Sequence, residues 1–361
     1  MNLNPLIEIS RRYGSDPAYV LLGGGNTSRK EGNTLFVKAS GHALGAIDEQ
    51  GFVRMDLAKL DQIWQKQYSA DDDQRETEVL ADMMACRLEG ESARPSVEAL
   101  LHAILPFDYV VHLHPALVNG ITCSQQGAQT TSRLFPSALW VELVKPGFIL
   151  AKVVRDRMVT HKERTGSDAS LIFLENHGIF VGAESIEGIE EIYRMVMERI
   201  ESSVAREPDF SPIAFDEKRA GAIKEALEAE VGAEVLFAAN AEAQRFLTDY
   251  HSFEPVSSSF TPDHIVYAGF RPLWVEEGRD PVLEYRAFVN EHGEGAKIIC
   301  VQNLGIFSVG EKPIPLFFDT MAIAVYSENF GGPKFMTDEM IQFIRSWEVE
   351  RYRSKVASSD S

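Results

Sequence analysis

The chain has 361 residues, beyond the roughly 250–300 at which one hydrophobic core stops growing, so two domains are expected. Apolar residues make up 45% and charged residues 25%, an ordinary globular composition. Lysine and arginine total 35 against 54 aspartate and glutamate, a net charge of −19. A field of that sign repels nucleic acid and anionic membrane, so neither is an expected partner; a local site can still hold a small anion. The three cysteines, Cys86, Cys123 and Cys300, are far apart and suggest neither disulfides nor a cysteine metal site. The N-terminal stretch lacks a signal-peptide apolar region, and no run approaches the roughly 18 apolar residues of a membrane span. A cytoplasmic location is expected.

In chain order, Tyr19–Leu22 and Thr34–Lys38 read as strands flanking the Gly-rich turn Leu22-Gly-Gly-Gly-Asn-Thr-Ser28. Such turns expose backbone N–H groups that can cradle a phosphate, although three glycines often mark a turn and nothing more. The pattern matches neither a P-loop nor a dinucleotide fingerprint, so no nucleotide cofactor is indicated. Val79, Leu80, Met83 and Leu88 predict a helix over residues 76–89, stopped by Gly90. Ser96 is placed to cap a short helix running to about Leu105, with Glu98 in its first turn and His102 at i+4. A carboxylate there either compensates the helix dipole or acts as a general base beside a metal. His102 reads as a packing residue rather than a ligand.

Asp108-Tyr-Val-Val-His-Leu-His-Pro115 predicts a strand on which His112 and His114 face one side. The pair can share a metal, or lie half-buried on a sheet surface. His177, in Glu175-Asn-His-Gly178 after the apolar run Leu171–Leu174, is a third imidazole on a sheet element. Together the three fit a catalytic zinc site, which takes three protein ligands and keeps a position for substrate. A helix with the stripe Ile189, Ile192, Tyr193, Val196 and Ile200 closes this region.

The breaker-rich segment Arg206–Pro212 places a domain boundary, and an Ala-rich helix is expected from about Phe215 to Glu230. The expected organisation is a catalytic domain over 1–205, a linker over 206–217, a second domain over 218–353 and a disordered tail over 354–361. The second domain carries an echo of the first. Leu171-Ile-Phe-Leu-Glu-Asn-His-Gly-Ile-Phe180 returns as Ile298-Ile-Cys-Val-Gln-Asn-Leu-Gly-Ile-Phe307. The alternatives are coincidence or a degenerate duplication in which Leu304 takes the place of His177. Under the second, one metal per chain is expected.

In this order, Gly-Gly-Asn-Thr-Ser, Ser40-Gly41, Pro-Ser-x-Glu, His-x-His-Pro and Asn-His-Gly resemble the class II aldolase/adducin family over about residues 10–205. With Leu101–Pro106 and Thr261-Pro-Asp-His264, the chain looks more particularly like the aldolase part of fused rhamnulose-phosphate aldolase/alcohol dehydrogenases. The resemblance implies an α/β fold, a central mixed sheet flanked by helices, followed here by a second, degenerate repeat-like α/β domain. It implies Zn2+ on His112, His114 and His177, with another divalent transition metal as alternative, and Glu98 as the catalytic residue. It implies substrate phosphate binding by Gly25, Asn26, Thr27, Ser40, Gly41 and Ser96. Val97 departs from the pattern, since these aldolases commonly have a second serine there. The implied reaction is retro-aldol cleavage of a ketose 1-phosphate to dihydroxyacetone phosphate and an aldehyde, in a homo-oligomer, by resemblance a tetramer. A sugar-phosphate epimerase, dehydratase or decarboxylase of the same fold, or an adducin-like interaction module, are the other readings. His264 is either near the substrate or a turn residue.

Overall fold

In the computed structural model of the chain, the described residues are 2–347; the expected tail over 354–361 lies outside them. They fall into two compact units. The first is built from the chain up to Thr122 and from Gly127–Ser203, with the last described residues from Ser346. The second comprises Val204–Arg345 and the short segment Cys123–Gln126.

The first unit is organised on a seven-stranded mixed sheet. Its strands are β1 (Asn26–Glu31), β2 (Thr34–Lys38), β3 (Phe52–Asp56), β4 (Tyr109–Leu113), β5 (Leu139–Val141), β6 (Leu171–Leu174) and β7 (Gly178–Ala183). They lie in the order β3-β2-β1-β4-β7-β6-β5, antiparallel except for the parallel pair β5 and β6. Helices pack on the sheet. Phe148–Thr165 makes the long crossover that a parallel β5–β6 pair requires. Ile186–Glu201 buries Ile189, Tyr193, Val196 and Ile200 completely, its polar face turned out. Each such side chain contributes about 1.5–3 kcal/mol by leaving water.

Strand β4 occupies the middle of this sheet and all five of its residues are buried. A strand covered on both faces reads as a continuous apolar run, and in Tyr-Val-Val-His-Leu the polar exception is His112. The sequence misplaces some elements nearby. Tyr19–Leu22 is a chain of turns rather than a strand: Asp16 Oδ1 accepts the Ala18 N–H at 2.9 Å, and Leu22 adopts a left-handed φ of 51° ahead of the glycines. The helix expected over 76–89 runs from Asp72 to Ala85, because the Asp71 side chain caps it by accepting the Gln74 N–H. The short helix before β4 is Ala99–Ile104, one turn shorter than expected at its start.

The second unit holds a four-stranded mixed sheet, β8 (Val235–Ala238), β9 (Leu273–Val275), β10 (Ile298–Val301) and β11 (Gly305–Val309), in the order β8-β11-β10-β9. Its helices include Glu217–Val231, Pro281–His292 and the apolar Pro313–Ser327. Among the described residues, no helix is long and apolar enough to cross a membrane.

Candidate metal centre

The central position of β4 sets the site. His112 pairs with Asn26 of β1 on one side and with Phe180 of β7 on the other. Its ring stacks on Phe180 at 4.0 Å between centroids, with the planes 10° apart. Its Nδ1 lies 2.8 Å from the Ile179 carbonyl oxygen. A carbonyl only accepts, so Nδ1 carries the proton and the Nε2 lone pair is left to point at the other imidazoles. His114 follows the strand at i+2, and the two Nε2 atoms are 2.8 Å apart.

His177 comes from the tight turn between β6 and β7. The left-handed residue of that turn is Asn176, with φ 54°, a conformation asparagine tolerates better than most residues. The requirement at Gly178 is space rather than a left-handed φ. A Cβ on Gly178 would stand 2.5 Å from the Leu113 carbonyl oxygen and 2.7 Å from His114 Cδ2. Absence of a side chain there is what lets β4 and its histidines lie against the turn. One ring nitrogen from each of His112, His114 and His177 falls within 4.8 Å of the others.

Glu98 completes the cluster. It occupies the N-cap position of Ala99–Ile104, yet its carboxylate caps nothing; Ser96 Oγ instead accepts the Glu98 N–H at 3.2 Å. The Glu98 carboxylate is thus spared from helix capping. Oε2 accepts the Asn26 side-chain amide. Oε1 has no hydrogen-bond partner and faces the rings, 3.3 Å from His112 Nε2 and 3.4 Å from His177 Nε2. Burial pushes the carboxyl upward, while the facing imidazoles when protonated, His112 foremost, outweigh it and draw Glu98 well below the usual range. Three imidazole lone pairs and one carboxylate converging on a point fit a divalent cation, and the donor set suits zinc among other transition metals.

The alternation of β1 sorts the Gly-rich motif. Asn26 and Ser28 face the Ala99–Ile104 helix: Asn26 bonds Glu98, and Ser28 Oγ lies 2.7 Å from His102 Nδ1. Thr27 faces the other way, fully buried, its hydroxyl 2.7 Å from Ser10 Oγ. Its side chain thus turns away from Glu98, because a strand sends neighbouring residues to opposite faces. Gly25 is brought to the cluster: with φ 72°, its Cβ position lies 3.0 Å from the His112 carbonyl oxygen. Ser40 and Ser96 are brought beside each other by a short ladder. The Ser40 N–H donates to the Arg94 carbonyl at 2.8 Å and the Ser96 N–H to the Lys38 carbonyl at 3.0 Å. Gly41 follows Ser40 and is exposed, with φ 89°.

One participant escaped sequence reasoning. Lys38 is buried and its Nζ reaches the Gly23 carbonyl at 3.3 Å, tying the Gly-rich turn to β2. A lysine ending an otherwise apolar strand was the available signal. His102, fully buried, is pushed by burial down to about 3 and stays neutral; its bond to Ser28 explains the packing role read from its spacing. In the second unit, His264 is buried with both ring nitrogens engaged. Nε2 lies 3.1 Å from Asp319 Oδ2, and Nδ1 takes the Thr261 N–H at 3.2 Å.

The family described as Class II Aldolase and Adducin N-terminal domain matches residues 4–197. The "Uncharacterized oxidoreductase YuxG" of Bacillus subtilis is 26% identical over 308 residues, 75% of this chain. The match spans 42% of that relative's own length. The N-terminal class II aldolase domain of a conserved protein from Thermoplasma acidophilum is 24% identical, with a TM-score of 0.48, over 56% of this chain and 93% of that one. An L-fuculose 1-phosphate aldolase gives 16% identity and a TM-score of 0.38 over 63% of this chain and 98% of its own. With more than half of its residues matched, the histidine cluster and Glu98 among them, the chain belongs to the class II aldolase and adducin family.

Proposed function

We propose that the chain is a metal-dependent aldolase that cleaves a ketose 1-phosphate to dihydroxyacetone phosphate and an aldehyde, with zinc on His112, His114 and His177. The observation that carries the reading is the unpartnered Glu98 Oε1 aimed at the three imidazoles while Asn26 holds Oε2. That arrangement leaves one carboxylate oxygen available for proton transfer beside a cation. A metal bound there would act as a Lewis acid, stabilising negative charge that develops on the substrate's oxygens.

Retro-aldol cleavage breaks the C3–C4 bond of the ketose. The C4 hydroxyl gives its proton to the Glu98 carboxylate, its electrons form the aldehyde carbonyl, and the bond pair passes through C3 to the C2 carbonyl oxygen. Glu98 delivers the proton that C3 then needs, and takes it away in the condensation direction. Its lowered pKa makes it a carboxylate at rest, and proximity to the cluster supplies the orientation that such a transfer needs. The Gly25–Asn26 turn and the paired Ser40–Gly41 and Ser96 segments would hold the phosphate through N–H and O–H donors, with Lys38 fixing the turn. The three cysteines are buried and form no disulfide, in keeping with action in the cytoplasm, and homo-oligomers are proposed as the working form. Incubation with L-rhamnulose 1-phosphate and L-fuculose 1-phosphate, following dihydroxyacetone phosphate with a coupled reductase, tests the reading. Release of dihydroxyacetone phosphate supports it. An epimerised pentulose phosphate, or carbon dioxide from an acidic sugar, with no aldol cleavage of any ketose phosphate would overturn it.

A further inference from the structure

We infer that the second unit contains an overwritten metal centre: the backbone frame of the first unit's site, with Phe237, Ala239 and Leu304 standing where His112, His114 and His177 stand. The inference rests on the histidine triad being a metal site.

The correspondence is fixed by hydrogen bonds rather than by the short sequence echo. In each unit a Leu-Trp-Val strand runs parallel to the first strand of a hairpin. Leu139, Trp140 and Val141 pair with Ile172, Phe173 and Leu174, as Leu273, Trp274 and Val275 pair with Ile299, Cys300 and Val301. In each, a helix joins the two, and the hairpin turn holds a left-handed asparagine, Asn176 with φ 54° and Asn303 with φ 56°. The turns are tied identically. Glu175 N–H donates to the Val141 carbonyl and Gln302 N–H to the Val275 carbonyl, both at 2.9 Å. The side chains repeat the pattern, with Glu175 accepting the Leu143 N–H at 2.8 Å and Gln302 the Glu277 N–H at 2.9 Å. In each, the hairpin's second strand pairs antiparallel with a further strand, β4 or β8. The glycine after the turn meets the end of that strand. A Cβ on Gly178 would lie 2.5 Å from the Leu113 carbonyl oxygen, and one on Gly305 would lie 2.6 Å from that of Ala238.

That chain of equivalences aligns β4 with β8 without freedom of register. Leu113, opposite Ile179, corresponds to Ala238, opposite Ile306; His112, opposite Phe180, therefore corresponds to Phe237, opposite Phe307. Even the aromatic contact persists, with Phe237 on Phe307 at 4.9 Å where His112 lies on Phe180. His114 maps to Ala239, and His177 to Leu304. At this position lies a cavity of about 140 Å3 lined by Ala239, Leu304, Gly305, Leu247, Ile213 and Phe215, among others. Its lining also includes the amides of Asn240, Gln244 and Asn303 but no histidine, cysteine or carboxylate, so it lacks the donors that hold a transition metal. The four-stranded sheet has no counterpart of β1–β3, so nothing corresponds to Asn26.

The test restores the ligands in the full chain with Phe237→His, Ala239→His and Leu304→His together. Zinc content by elemental mass spectrometry should rise from about one to about two per chain, and cobalt substitution should add a second tetrahedral absorption band. The same graft in a His177→Ala background should hold its metal alone. A one-residue shift, Leu236→His and Ala238→His with Leu304→His, should add none, because those positions face the opposite side. The milder pair Ala239→His and Leu304→His, which spares the Phe237 packing, should still take up cobalt weakly. A folded graft, by circular dichroism, that binds no more metal than the unmodified chain overturns the inference. An unmodified chain that binds none would refute the metal reading of the first unit, whereas the graft in the His177→Ala background reads the second unit's site independently of the first.

Discussion

Glu98→Gln separates the chemistry of the site from its assembly. The substitution is isosteric, and a glutamine carbonyl oxygen can still accept the Asn26 amide that now bonds Oε2. No cavity opens and no hydrogen bond is lost. The group removed is a buried charge whose second oxygen has no hydrogen-bond partner, so stability of the metal-free chain should change by about 0.5 kcal/mol or less, or rise. The three imidazoles are untouched, and metal content should stay near that of the unmodified chain. A neutral amide cannot take or give the proton at C3, and loss of a positioned acid–base group lowers turnover by about 10²–10⁴-fold, or about 2.7–5.4 kcal/mol in barrier. Steady-state cleavage of a ketose phosphate, read beside metal analysis and thermal unfolding, measures all three quantities. Unchanged kcat with full metal occupancy would refute the role of Glu98. Loss of metal together with activity would recast it as a ligand.

Other substitutions test the remaining parts of the account. His177→Ala should lose metal and turnover together, and should abolish the thermal stabilisation that added zinc gives the unmodified chain. Gly178→Ala puts a Cβ 2.5 Å from the Leu113 carbonyl oxygen and 2.7 Å from His114 Cδ2; it should cost about 1–3 kcal/mol in unfolding and weaken metal binding by displacing His114. Thr27→Val removes the buried bond to Ser10 Oγ and should destabilise the fold by about 1–3 kcal/mol while leaving KM unchanged, since that side chain faces away from the cluster. His102 is held neutral at about 3 when folded and returns to an ordinary value near 6.5 when unfolded. The unfolded state therefore binds the extra proton between those values, and stability should fall as pH drops from 6.5 towards 3. His102→Gln should flatten that part of the denaturation profile.

How much of this was legible in the sequence depends on how local the determining physics is. The His112/His114 pair was readable because a strand repeats every two residues, and the position of β4 required only an apolar run long enough to be covered on both faces. The same two-residue rule sorts Asn26 and Ser28 from Thr27, but it could be applied only once β1 was known to begin at Asn26, and a run of glycines hides that boundary. Asn176 rather than Gly178 proved to be the left-handed residue, because a close approach by β4, invisible in the local sequence, already claims the glycine. The Ser40–Ser96 ladder depends on segments more than fifty residues apart, which no periodicity connects. The correspondence of Phe237 with His112 was likewise unreadable: the two share no chemistry, and only the pairing of β8 with β11 aligns them.

The most direct test of the central claim is the metal content of protein purified without chelator or an affinity metal, measured by elemental mass spectrometry. The account predicts about one transition metal per chain, lost in His177→Ala and kept in Glu98→Gln. Protein that carries none, and takes up none when zinc is supplied, would contradict it.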